Sequence, residues 1–143
     1  MKFLNRLLLA GALSLAVARA EVPSIIANGF EAYKATGSKD ALTVWLRGAQ
    51  PSVNINTAGM PPDLGPSFDT PGAFGPMESY DIIAVYSPTL RLRRVYAVAY
   101  FPQGPLFCCF DLFRNSGVWT TYGLKFNLSP DQVLPVDLIE KSG

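Results

Sequence analysis

The chain has 143 residues, 49% of them hydrophobic and 16% charged, with a formal net charge of +1. It contains no His, which removes the commonest general base and metal ligand at neutral pH, and with them every Ser-His-Asp or Cys-His arrangement. Its two Cys are adjacent, a number and spacing that suit no zinc site, so neither a metal nor a cofactor is expected.

The first element in chain order is an address. Lys2 and Arg6 give a positive start, Leu7 to Ala18 is an uncharged run, and Ala18-Arg19-Ala20 ends it with a small-x-small pattern. These are the three parts of a secretory signal peptide, cut between Ala20 and Glu21. The run is too short to span a bilayer, which takes about 20 apolar residues. The first Cys is Cys108, so none stands at the cut to carry a lipid. The expectation is a signal peptide over 1–20 and a single domain over 21–143, soluble and periplasmic or secreted, with no membrane span after cleavage. The signal holds three of the twelve Lys and Arg and none of the eleven acids. The remaining 123 residues therefore carry nine bases against eleven acids, a net charge of −2. Nucleic-acid binding loses its electrostatic support.

Residues 23–47 read as two helices. Pro23 suits a first turn, and Val22, Ile25, Ile26, Phe30 and Tyr33 fall on one face. Gly37 fits a stop and Ser38 a fresh N-cap. The second helix carries Ala41, Leu42, Trp45 and Leu46 on one side and ends near Gly48. Residues 51–76 hold six Pro and four Gly, which excludes a regular helix or a central strand. This segment reads as a long loop, a passive linker or a lid, with Phe68 and Phe74 able to pin it.

From residue 77 the period becomes two. Tyr80, Ile82, Ala84 and Tyr86 alternate with Ser79, Asp81, Ile83 and Val85. Leu92, Arg94, Tyr96, Val98 and Tyr100 share a face of the next strand. Residues 105–114 and 118–127 supply two more strands, joined by Pro102-Gln103-Gly104-Pro105 and Asn115-Ser116-Gly117 reversals. The tail reads as one helical turn, Asp131 to Leu134, stopped by Pro135. Helices first and strands after predict an α+β domain, with N-terminal helices packed on a bent antiparallel four-stranded meander sheet.

Several strings carry a resemblance. Gly29 to Lys34, Ala41 to Gly48, Glu78-Ser79-Tyr80, Leu90 to Tyr96, Gly104 to Phe107, Phe110 to Arg114 and Phe126-Asn127 resemble a family of small exported bacterial proteins of unknown function. The resemblance implies a cone-shaped α+β domain similar to the nuclear-transport-factor-like and cystatin-like group. That group hosts isomerases, dehydratases and non-catalytic binding domains, so fold alone does not choose among them. The family carries a further helix where this chain has its Pro/Gly-rich 51–76 segment. Any pocket that helix would close would here be open or covered by loop.

Candidate chemistry is sparse. Cys108 and Cys109, neighbours on a strand, should point to opposite faces and read as apolar filler, with a redox role as the sharper alternative. Asp111 and Asp81 are the candidate acid–base residues, and the plainer reading of Asp111 is a partner for Arg94 or Arg91 across the sheet. Arg91 and Arg93 share a face, and Arg94 looks the other way. Tyr96, Tyr100, Trp119 and Tyr122 are the candidate ligand-binding residues, since rings with polar tips suit pockets and interfaces. One reading follows directly: a non-catalytic domain binding a small ligand or a protein through an aromatic sheet face, with a cavity beside Tyr96, Tyr100 or Tyr122. The alternative is an acid–base lyase or isomerase, and a homodimer through the sheet is a third.

Overall fold

The computed structural model describes residues 21–56 and 76–141. The signal-like segment 1–20, and residues 57–75 with Phe68 and Phe74, lie outside the described residues. Among the described residues two helices come first, α1 (Ser24–Thr36) and α2 (Ser38–Trp45). Gly37 is the joint between them. Its N–H donates to the Tyr33 carbonyl and its own carbonyl accepts from the Ala41 N–H. It does so at φ +111°, in the region only Gly enters freely. Ser38 is the first residue of α2 and not its cap, since Gly37 takes the cap position and no side chain caps the helix.

Among the described residues the sheet has five strands in the order β1-β5-β4-β3-β2. They are β1 (Asn54–Asn56), β2 (Ser79–Thr89), β3 (Leu92–Phe101), β4 (Gly104–Asn115) and β5 (Val118–Asn127). The last four form the expected antiparallel meander. The expectation of a purely antiparallel four-stranded sheet is corrected by β1, which pairs parallel to β5 with Asn54 opposite Gly123. Three exposed polar-flanked residues show no period of two, and their pairing is non-local, so local pattern cannot reveal them. The strand lies inside the Pro/Gly-rich segment, and its edge position is where a strand next to Pro51 is tolerated.

Hairpin chemistry follows the sequence closely. Ser116 (φ +51°) and Gly117 (φ +79°) make the two-residue β4–β5 turn, which needs positive φ at both positions. The Thr89 hydroxyl accepts the Arg91 and Leu92 N–H groups at 3.1 Å and closes the β2–β3 turn.

The sheet has two different faces. Val95, Ala97, Ala99 and Phe101 of β3, Leu106, Cys108, Phe110 and Leu112 of β4, and Leu124 and Phe126 of β5 meet the helices in one buried cluster. Trp45 is its hub. Its ring packs edge-on to Phe30 (5.0 Å) and Phe110 (5.1 Å), its Nε1–H donates to the Ile26 carbonyl at 3.2 Å, and its own carbonyl accepts from the Thr121 hydroxyl at 2.7 Å. Gly29 leaves the space for the indole, because a Cβ there would stand 1.9 Å from Trp45 Nε1. The Tyr33 hydroxyl is buried beside Ser38, and burial pushes its pKa up to about 12.

The opposite face is covered in part by the tail. A 3₁₀ turn (Pro130–Gln132) and a short helix, α3 (Val136–Lys141), follow β5. Pro135 does not simply stop the chain, as its pattern suggests. Its carbonyl accepts the Leu138 and Ile139 N–H groups and so opens α3. Val133, Leu134 and Leu138 pack on Tyr96, Cys109, Ile83 and Phe107.

Both cysteines are free and buried on opposite faces, as their adjacency on a strand requires. Burial pushes the Cys108 thiol well above its ordinary range and the Cys109 thiol up to about 11.

Two outcomes follow from this packing. Gly29→Ala is expected to destabilise the domain by at least about 2 kcal/mol, because the rigid indole cannot yield to the new methyl. Gly48→Ala has no steric neighbour and only a positive φ to strain, so it should cost about 1 kcal/mol. Urea unfolding midpoints compare the two, and equal costs would refute the role given to Trp45. For the thiols, iodoacetamide at about pH 8 should label neither cysteine in the native protein and both in denaturant, since the thiolate is the reactive species. Rapid native labelling read by mass spectrometry would overturn the reading of both as buried filler.

Candidate functional site

Two one-residue irregularities decide what looks outward. In β2 the register shifts between Ile82 and Ala84. Tyr80 and Ile82 therefore pack toward the helices, while Ala84 and Tyr86 pair with Tyr96 and Arg94 on the other face. The uninterrupted alternation read from the sequence, which put Tyr80 and Tyr86 on one face, is corrected by this shift. In β5 a second irregularity opposite Asp111 and Leu112 leaves Tyr122 as the extra residue, with Gly123 facing Asp111 and Thr121 facing Leu112. A bulge of this kind turns a side chain out of the regular pattern.

The result is a hollow of about 480 Å³ on the face turned away from α1 and α2. Tyr86, Tyr96 and Tyr122 supply its aromatic walls, with Arg94 and Asp111 between them and Asp137 from the tail at its rim. Tyr86 and Tyr96 meet at 83° with centroids 5.9 Å apart, which forms a corner. Within the hollow Arg94 and Asp111 make a two-pronged ion pair, Nε to Oδ1 at 2.6 Å and Nη2 to Oδ2 at 3.0 Å. This is the fork-on-carboxylate geometry that fixes orientation as well as charge. The side chains are 49% and 20% exposed, so the carboxylate sits deeper than the guanidinium. Asp111 raises the Arg94 pKa still further, keeping it charged at any working pH. Desolvation raises the pKa of Tyr96 and of Tyr122, so both phenols stay protonated and able to donate. Gly123 carries no Cβ, and one placed there would press to 3.3 Å from Asp111 Oδ2.

The candidate residues separate on the structure. Tyr96, Tyr122 and Asp111 come together in the hollow. Tyr100 and Asp81 do not join them: the Tyr100 hydroxyl donates to Asp81 Oδ2 at 2.9 Å, and both residues are exposed away from it. That hydrogen bond raises the Tyr100 pKa. Trp119 belongs elsewhere again, in a groove of about 340 Å³ beside Ile25 and Arg47. There the Arg93 guanidinium stacks 4.5 Å over its ring and donates to the Glu21 carbonyl. Arg91 stacks over Phe113 at 5.0 Å. Arg94 is thus held by Asp111, Arg93 by Trp119 and Arg91 by Phe113, and Arg93 also lines the hollow.

Of the residues lining the hollow, Tyr86, Arg94 and Asp137 were not among the candidate ligand-binding residues, although Tyr86 belongs to the aromatic strands and Arg94 to the basic cluster that the sequence shows. Arg94 was legible as a partner of Asp111, but Tyr86 is brought round by the β2 shift and Asp137 by the tail. Among the described residues no cluster of three His, Cys, Asp or Glu side chains could hold a metal ion. No helix among them is long and apolar enough to cross a membrane.

No protein-family model matches the chain, and no curated protein matches its sequence. Solved structures do match its architecture. An NTF2-like protein of unknown function from Shewanella baltica OS155 superposes with a TM-score of 0.50 at 16% identity, over 75% of this chain and 93% of that one. A second NTF2-like protein of unknown function, from Methylobacillus flagellatus KT, gives 0.51 at 12% identity, over 74% and 87%. At such identities the likeness speaks for architecture alone: this chain has an NTF2-like α+β fold, as its helix and strand strings led one to expect.

Proposed function

We propose that the protein is a non-catalytic binding domain that holds a small ligand in the tyrosine-lined hollow on the outer sheet face. One observation carries this reading. Three tyrosines from three strands converge on a single oriented ion pair, in a space of the volume small-molecule sites usually have. Apolar walls with a few fixed polar groups are what ligand recognition requires.

The competing acid–base reading has less support. A general base must meet a substrate proton with its own acceptor free. Each oxygen of Asp111 already accepts a hydrogen bond from Arg94, which directs the carboxylate to the guanidinium and not to a substrate, and Asp81 is exposed and held by Tyr100. No His stands anywhere in the chain to take either role.

The test is to purify the protein from its native host without denaturation and weigh it by native mass spectrometry, beside Tyr122→Ala. Tyr122 is 47% exposed, so its loss removes a wall and not core packing. A small molecule should accompany the native protein and be lost, or bound about tenfold more weakly, in the variant. Equal retention by both proteins would move the site elsewhere.

We further propose that the protein works outside the cytoplasm. Lys2, Arg6, the Leu7 to Ala18 run and Ala18-Arg19-Ala20 support export with cleavage before Glu21. The intact mass of protein from the cell envelope should correspond to a chain starting at Glu21. A full-length mass there would refute cleavage.

A further inference from the structure

We propose that the ligand of the outer hollow carries a carboxylate beside an aromatic or apolar body, and that Arg94 receives the carboxylate on the guanidinium edge that Asp111 leaves open. This rests on the reading of the hollow as a binding site and names the chemistry of what fills it.

The geometry of the ion pair is the starting point. A guanidinium has two edges able to take a carboxylate with parallel N–H donors. Asp111 occupies the Nε/Nη2 side edge. Beyond that edge Arg94 holds no carboxylate among the described residues, and its other side-chain partner is the neutral Tyr96 hydroxyl, which an incoming carboxylate would share. Asp111 thus fixes the plane and direction of the guanidinium before any ligand arrives, which lowers the ordering cost of binding.

Exposure decides the sign of the ligand. Arg94 is 49% exposed and Asp111 only 20%, so an incoming group meets the cation first. An ammonium ligand would have to pass a guanidinium to reach a carboxylate whose charge is already compensated. Tyr96 and Tyr122 remain neutral donors, adding hydrogen-bond capacity for an anion without repelling it. Asp137 and Arg93 also line the hollow and offset each other in charge, so the exposed Arg94 guanidinium sets the preference for an anion. The body of the ligand is set by the corner of Tyr86 and Tyr96, which offers a face and an edge to a flat apolar group.

The experiment compares three probes of nearly one shape: phenylacetate, phenylacetamide and phenethylamine. Each is titrated into the purified protein at neutral pH and followed by amide NMR. Phenylacetate should shift the amides of Tyr86, Arg94, Tyr96 and Tyr122, with an affinity at least about tenfold above that of the amide. The double variant Arg94→Gln/Asp111→Asn removes both charges together and leaves neither stranded. In it the acid should bind no better than the amide, while the amide's affinity stays as it was. If the amide or the amine binds the native protein at these residues as tightly as the acid, the carboxylate proposal is overturned and the binding site stands. If no probe shifts these residues, the site and the proposal fall together. The native series decides the matter even if the variant does not fold.

Discussion

The fit of Trp45 against Gly29 is the contact on which the rest of the domain is arranged. An indole can lie on a helix backbone only where a residue has no side chain, and Gly29 is that residue. The contact sets how closely α2 approaches α1. The same Trp then reaches the sheet by two routes, its ring edge-on to Phe110 and its carbonyl on the Thr121 hydroxyl. Helix spacing and sheet position are therefore one constraint and not two. Burying a side chain of this kind contributes about 1.5–3 kcal/mol. The larger effect is that a rigid ring with its N–H bonded to the Ile26 carbonyl tolerates few alternatives, which gives the core one arrangement.

With the helices filling one face, the other is left to do something else. Which residues it presents depends on the two register irregularities. A strand's side-chain period is two, so one inserted residue exchanges the faces of everything beyond it. The shift after Ile82 sends Tyr86 outward to meet Tyr96, while Tyr80 stays inward and stacks on Phe30 at 4.3 Å. The extra residue in β5 sends Tyr122 out and places Gly123 under Asp111. Without them the strands would present fewer tyrosines around Arg94. The hollow is thus a product of backbone irregularity in an otherwise regular meander.

This explains what could be read from the residues and what could not. The helix pair was legible because Ile26, Phe30 and Tyr33, then Ala41 and Trp45, repeat at helical spacing and Gly37 marks the joint. The four long strands were legible from their alternation and from Gly117 in the last turn. The opposition of Arg94 and Arg93, and the split of Cys108 from Cys109, follow from period two alone. The face of Tyr86 was not legible, because a bulge has no local signature in Ile82-Ile83-Ala84. Strand β1 was hidden because three residues pairing with a partner some seventy positions on carry no pattern. Grouping Tyr100 and Trp119 with Tyr96 and Tyr122 failed for a simpler reason: aromatic residue type says nothing of position along a strand. Tyr100 sits at the far end of β3, bonded to Asp81, and Trp119 is held by Arg93 on another side.

The Arg94–Asp111 pair is better understood through recognition than through stability. A partly exposed ion pair contributes roughly 0–1 kcal/mol, and two long-range partners at this exposure have little leverage on folding. The fold's stability lies on the other face, where Phe30, Trp45, Phe110 and Phe126 are shut away from water. The pair instead has the properties of a prepared surface: a fixed guanidinium plane, a compensated charge beneath it, and neutral phenols around it. Packing alone does not require that combination, since the same outward row of β3 also holds Val98, a buried apolar residue. The larger apolar cluster and the oriented ion pair thus lie on opposite sides of a single sheet, so the pair can be altered with little effect on the core that holds the fold.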